Sequence, residues 1–328
     1  MNNKKAFEIQ FNWIFILVAG AAIIVFFASV ITKNKNVSEI STNAIVLKSV
    51  ESIITGASIS TDTISTIEIP NSNIEVRCNR VSSGGASKQF SNLVLFAPGL
   101  IKGNKLITQT LPFNAPYRAT NILYMTSPSL RYIIIGDSDT AREINKSLPL
   151  ELKKEFYDVP LIKNSNNYKV RFIVFNDDMI DFPQALKNMP DFDVTAVKVK
   201  GDISKGTIDF YQKNAQSWEL IATSAYLGKP SLIGAVYSDS AEAYECNMKN
   251  IFSRLNLITK IYSQRTTALI AKYERCKEFY NDALNHLGKI STASLEFKKE
   301  NLDIMAESLK SLSDENINMQ VYSCALIY

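Results

Sequence analysis

The chain holds a single histidine, His286, and four cysteines, Cys78, Cys246, Cys276 and Cys324, in 328 residues. Zinc sites draw on closely spaced Cys and His, commonly through Cys-x-x-Cys pairs. No such pair occurs, so neither a structural nor a catalytic zinc centre is expected. Charge of one sign is equally scarce: 36 Lys and Arg against 32 Asp and Glu leave a net +4, with both signs intermixed. A protein that grips a phosphate backbone needs a basic surface. No basic-aromatic repeat supplies one, and nucleic acid is not an expected partner. Gly84-Gly85 and Gly201–Gly206 lack the adjacent Gly-Lys-Ser/Thr or dinucleotide fingerprint of a phosphate cradle. No cofactor is implied, and only one long apolar run exists.

That run is Phe11–Ile31, apolar apart from Asn12 and Ser29, with uncharged flanks reaching Ile9 and Thr32. As a helix it crosses about 31 Å, roughly the hydrocarbon thickness of a bilayer. Lys4, Lys5 and Glu8 before it and Lys33 and Lys35 after it put charge at both headgroup layers, with Trp13 near an interface. The pattern predicts a transmembrane helix over 9–32 behind a short head, 1–8, making the lipid bilayer the first partner. A cleaved secretory signal is the competing reading. Its apolar core normally spans about 7–15 residues before a small-x-small exit, a form that Ala28-Ser29-Val30 fits poorly. Two lysines on either side nearly cancel the positive-inside comparison. The short head, the Asn, Ser and Thr after the span and the even cysteine count favour a cytoplasmic N-terminus and an extracytoplasmic body, where disulfides persist. Asn36 and Asn145 lie in N-x-S/T acceptors usable there.

Val37, Ile40, Ala44, Leu47, Val50 and Ile54 recur every three or four residues, predicting an amphipathic stalk helix that ends near Gly56. Its stripe either packs on the body or pairs with another copy. Stalk and linker take 33–65. Over 66–237, strands are expected at Ile67–Ile69, Ile74–Cys78, Leu93–Phe96, Ile122–Met125, Arg131–Ile135, Val170–Phe175, Val194–Val199, Thr207–Gln212 and Ser217–Ser224. Short helices are expected at Asp139–Ser147, Leu150–Phe156 and Asp181–Asn188. Arg131–Ile135 and Val170–Phe175 read as strands buried on both faces. The fold class is α/β or α+β: a membrane-anchored mixed-sheet body followed by a long C-terminal helical hairpin.

From Tyr244 to Leu287 apolar and aromatic residues follow in steps of three or four, among them Leu255, Ile258, Tyr262 and Leu269. No Pro or Gly interrupts Ser240–Leu287, which predicts one long coiled-coil-like helix stopped by Gly288, with a kink around Ser263–Thr267 as the alternative. Leu295, Leu302, Met305, Leu309 and Leu312 mark a returning helix, an αα-hairpin over 238–328 with an apolar tail, Gln320–Tyr328. On an unbroken helix Cys246 and Cys276 lie about 45 Å apart, whereas a disulfide tolerates about 7 Å. Cys276–Cys324 with Cys78–Cys246 is the first choice of pairing and Cys78–Cys276 with Cys246–Cys324 the second. A reduced set stays open for a cytoplasmic body.

Phe11–Gly20, FNWIFILVAG, resembles uncharacterised archaeal single-pass membrane proteins, a likeness that brings no established activity. An apolar helix running into an amphipathic one also resembles the pilin family over the first 56 residues. Glu8 stands two residues after a cut between Ala6 and Phe7, where the type IV class places its glutamate five residues on. Ile133–Thr140 resembles the first block of the SGNH hydrolases through Gly136, Asp137 and Ser138. That likeness implies Ser138 as a nucleophile, which needs a base and an acid to orient it. The family's late Asp-x-x-His pair is missing; Asp282 and His286 have three residues between them. Asp137 and Asp139 resemble the paired carboxylates of haloacid-dehalogenase phosphotransferases, but Ala141 stands where that family has Thr or Val. Asp177, Asp178 and Asp181 offer oxygen ligands to a cation. Read as an EF-hand loop from Asp177, Phe182 replaces the required glycine and Asn188 the bidentate glutamate, so a capping acidic turn is the plainer reading.

The expected function is presentation: a membrane-tethered extracytoplasmic structural or protein-interaction protein, with Leu255, Ile258, Tyr262 and Leu269 carrying contact to a protein partner or a second copy. The alternatives are an anchored hydrolase using Ser138 and a solute- or cation-binding module around Asp137, Asp177 and Asp178.

Overall fold

The computed structural model describes residues 3–90, 94–157, 168–176 and 178–328, without the side chains of 3–16, 19, 30–40, 57 and 58. α1 (Asn3–Ile59) is one continuous helix of 57 residues, about 85 Å long at the usual rise. The predicted span 9–32 falls within it, and the side chains of 9–16, 19 and 30–32 lie outside the described residues. Among the described residues no helix is long and apolar enough to cross a membrane. The later part of α1 buries Val46, Leu47, Val50 and Ile54 against Ile69, Ile74, Val76, Val81 and Leu95. The stalk stripe therefore packs on the chain's own body through Leu47, Val50 and Ile54, while Ala44 is exposed and Val37 and Ile40 lie outside the described side chains. Asn43 fixes the docking: Ser83 Oγ donates to its Oδ1 at 3.1 Å, and Lys88 pairs with Glu51 at 2.5 Å.

The sheet beneath α1 comprises β1 (Ile64–Arg77), β2 (Arg80–Ser83), β3 (Ala86–Gln89), β4 (Leu95–Phe96), β5 (Leu100–Asn114) and β6 (Arg118–Thr126), in the order β3-β2-β1-β5-β6-β4. All pairs are antiparallel except β4 with β6. Two short strands were expected where β1 runs unbroken, because an irregularity between Glu68 and Ser72 absorbs Pro70. β5 was not expected: Lys102-Gly103-Asn104-Lys105 and Pro112 interrupt its apolar alternation.

The second sheet comprises β7 (Leu130–Ile135), β8 (Lys153–Tyr157), β9 (Lys169–Val174), β10 (Val194–Gly201), β11 (Lys205–Asn214) and β12 (Ser217–Leu227), in the order β12-β11-β10-β9-β7-β8. β8, β7, β9 and β10 are parallel, and β10, β11 and β12 form an antiparallel meander. β7 and β9 are buried along their whole length, as their unbroken β-branched content requires. The expected helix at Leu150–Phe156 is instead β8, whose helix-favouring Leu, Lys and Glu are overridden by the ladder along β7. Asp181–Asn188 yields only a 3-10 turn at Gln184–Leu186, entered through Pro183.

α2 (Asp139–Ser147) links β7 to β8, and α3 (Lys229–Tyr237) follows β12. The predicted long arm is instead α4 (Ala241–Lys272), a 3-10 turn at Glu274–Cys276, and α5 (Lys277–Ala293). Tyr273, at φ −127° and ψ 76°, leaves the helical region there, beyond the Ser263–Thr267 position considered for a kink. α5 runs back along α4, so that Asn256 Nδ2 donates to Ser291 O at 2.6 Å. Gly288 sits exposed inside α5, with open space where a Cβ would stand; a glycine in an exposed helix interior costs only about 1 kcal/mol and does not stop it. α6 (Lys299–Val321) returns along α5. The expected hairpin is thus a three-helix bundle, and its apolar stripes share one continuous core with the inner faces of both sheets.

Cys78–Cys246 and Cys276–Cys324 are the disulfides, with Cα atoms 5.9 and 6.0 Å apart. The first ties the end of β1 to the start of α4. The second ties the α4–α5 turn to the segment after α6.

Candidate functional site

In the parallel part of the second sheet the chain leaves β7 toward β8 on one side, then crosses back to β9 and β10 on the other. The crevice between the carboxyl ends of β7 and β9 is therefore a topological switch point, where open α/β sheets bind ligands. Gly136 forms its floor at φ +113°, where a Cβ would stand 2.7 Å from Asn176 Oδ1, so only glycine fits. Its N–H donates to Tyr157 O at 3.0 Å, and Phe175 N–H donates to Ile135 O at 2.9 Å. Both floor amides are already used.

Ser138 stands beside this floor and caps α2: its Oγ accepts from Ala141 N–H at 3.1 Å. Arg142 grips Asp137 in a two-pronged pair, at 2.9 and 2.6 Å, and reaches Asp139 Oδ1 at 3.4 Å. The Gly-Asp-Ser block is thereby accounted for as strand exit, ion pair and cap. His286 and Asp282 lie on α5, which packs against α4 and α6, whereas α2 packs on β7. His286 is half-buried, and its Nδ1 has no hydrogen-bond partner among the described residues.

Asp178 and Asp181 are exposed, and Asp177 lies outside the described residues. Among the described residues no three His, Cys, Asp or Glu side chains gather as a metal site. Leu255 is fully buried, and Ile258, Tyr262 and Leu269 pack partly buried on the same core. The Tyr262 and Tyr117 rings meet at a tilt of 41° with centroids 4.5 Å apart. These four residues face the interior of their own chain.

The strongest electrostatic feature lies at the other end of β9. Lys169 and Arg171 are nearly inaccessible. Lys169 pairs with Asp239, whose other oxygen accepts from Gly99 N–H at 2.9 Å, so this ion pair pins the two sheets to the α3–α4 junction. Arg171 Nη2 donates to Ala235 O at 2.9 Å and to Ser238 O, while Nε and Nη1 have no hydrogen-bond partner among the described residues. Burial pushes its guanidinium down to about 10, which leaves it charged at neutral pH. Burial likewise raises the Asp193 carboxyl. This junction was not foreseen. Its signal was Lys-Val-Arg at the head of a strand read as buried on both faces, where a long cation must find a partner.

Comparison with known proteins finds no matching family model, curated protein or solved structure.

Proposed function

We propose that this chain is a membrane-tethered extracytoplasmic structural or protein-interaction protein, held by residues 9–32 and presenting a disulfide-braced head. The observation that carries the reading is the surface of α1 ahead of the head. Leu17, Val18, Ile23, Ile24, Val25, Phe26 and Phe27 are each 56–70% exposed, on a helix whose later turns are buried in the body. Water does not tolerate such a band of apolar side chains, and lipid removes the cost at about 25 cal/mol per Å². Thirteen residues of unbroken helix separate Thr32 from Val46, a stand-off of about 21 Å. Two disulfides and no free cysteine support an oxidising side for the head.

The test is protease protection of the full chain in inverted membrane vesicles, with non-reducing peptide mapping of the protected fragment. An intact head carrying both disulfides is expected. Digestion of the head without detergent would place it on the cytoplasmic side and end the proposal.

A second reading, solute binding, is favoured by the switch-point crevice between β7 and β9. Gly136→Ala would close its floor against Asn176. If the head binds a polar solute there, that variant loses binding while the disulfides stay formed.

A further inference from the structure

α6 ends in a turn of Schellman type: Ser323 N–H donates to Gln320 O at 3.2 Å, and Cys324 N–H to Met319 O at 2.8 Å. The left-handed position of that turn normally belongs to glycine, yet Ser323 holds it at φ +55°. The turn folds residues 323–328 back as a strap over the helical bundle. Much of the strap's anchorage is to its main chain: Arg275 donates to Ser323 O at 3.0 Å, Tyr280 to Ala325 O at 3.0 Å and Arg265 to Leu326 O at 3.2 Å. Asn316 closes the far end, accepting from Ile327 N–H at 2.9 Å and donating to Tyr328 O at 3.3 Å. Ile327 is fully buried, and the Tyr328 ring meets Tyr117 and Tyr262 edge-on at 5.6 and 6.0 Å. The strap is thus a peptide seated in a groove of its own chain, with one covalent lock, Cys276–Cys324.

We propose that the strap is exchangeable, and that two copies of this chain swap it to form a dimer held by two interchain Cys276–Cys324 bonds. A second copy's strap makes the same contacts by construction, so the two forms differ chiefly at the hinge. There, opening Tyr322–Ser323 releases a serine from a backbone region that favours glycine. With the lock reduced, Cys324 of one copy forms a mixed disulfide with a small disulfide oxidant such as oxidised glutathione, releasing one thiol. The Cys276 thiolate of the other copy then attacks Cys324 Sγ and expels the second thiol. Each new bond takes two electrons from two protein thiols and passes them to the oxidant. Exchange does not require the membrane anchor, although tethering in one plane would raise the effective concentration of straps.

The test uses full-length chains, unlabelled and ¹⁵N-labelled, mixed in non-ionic detergent, briefly reduced, reoxidised in a glutathione redox buffer and mapped without reduction. Isotopically mixed Cys276–Cys324 peptides are expected, in a disulfide-linked dimer, while Cys78–Cys246 peptides stay unmixed. Ser323→Gly, which removes the conformational penalty of the folded-back turn, should lower the mixed fraction several-fold. Unmixed Cys276–Cys324 peptides overturn the proposal. Equal mixing at both disulfides overturns it too, because that pattern is general scrambling.

Discussion

Ser138 and Glu155 show how local chemistry assigns side chains to structure. Ser138→Ala removes the α2 cap and should cost about 1 kcal/mol by denaturant unfolding, with any hydrolytic activity of the preparation unchanged; a loss of hydrolysis would revive the nucleophile reading. Arg131 Nε and Nη2 donate to the two carboxylate oxygens of Glu155 at 2.6 and 2.5 Å, and this holds the Glu155 carboxyl below its ordinary range. A depressed carboxylate stabilises the fold above its unfolded pKa, about 4.3, and loses that contribution as pH falls through the lower folded value. Glu155→Gln should therefore cost about 1–3 kcal/mol at neutral pH, toward the low end because Glu155 is partly exposed. The gap to the parent should close in strong acid, and a pH-independent gap would show that the ionised Glu155 carboxylate is not its source. Asp239→Asn leaves Lys169 buried without its counter-charge and should cost about 3–5 kcal/mol. Pairing it with Lys169→Met should recover much of that in a double-mutant cycle.

At the scale of elements, the bundle's inward stripe and its outer face respond differently. Leu255→Ala opens a cavity in the common core and should cost about 2–5 kcal/mol. Leu257→Ala, two residues on and 60% exposed, should change stability by about 0.5 kcal/mol or less; similar losses at both would mean that α4 is not packed as described. In a chain-entropy account, closing loops with sequence separations of 48 and 168 stabilises by roughly 4 and 5 kcal/mol before any strain.

The elements also show what the sequence made readable. Unbroken β-branched runs located β7 and β9, helix length removed Cys246–Cys276 from the pairings, and the three-to-four spacing found the stripe of α4. Periodicity could not say that this stripe faces the chain's own sheets, because a coiled-coil seam and a core-facing stripe have nearly the same spacing. The break at Tyr273 carries no Pro or Gly, and β8 is written in helix-forming residues. Both are decided by tertiary partners, the Cys324 disulfide and the β7 ladder. The switch-point crevice was out of reach for the same reason: strand order is set by packing between distant segments.

For the whole molecule, two sheets and a bundle share one core, and the later turns of α1 dock on the outer sheet through a second apolar cluster. A tilt of α1 would pass directly to the sheet it covers, through Val46, Val50 and Ile54. On the proposed tethered reading, the apolar band from Leu17 to Phe27 is the part of α1 that lipid would cover. The most direct measurement is fractionation of the full chain after an alkaline carbonate wash of membranes, with and without non-ionic detergent. The tethered account predicts that the chain sediments with the washed membranes and is released only by detergent. Recovery in the washed, detergent-free supernatant would contradict it.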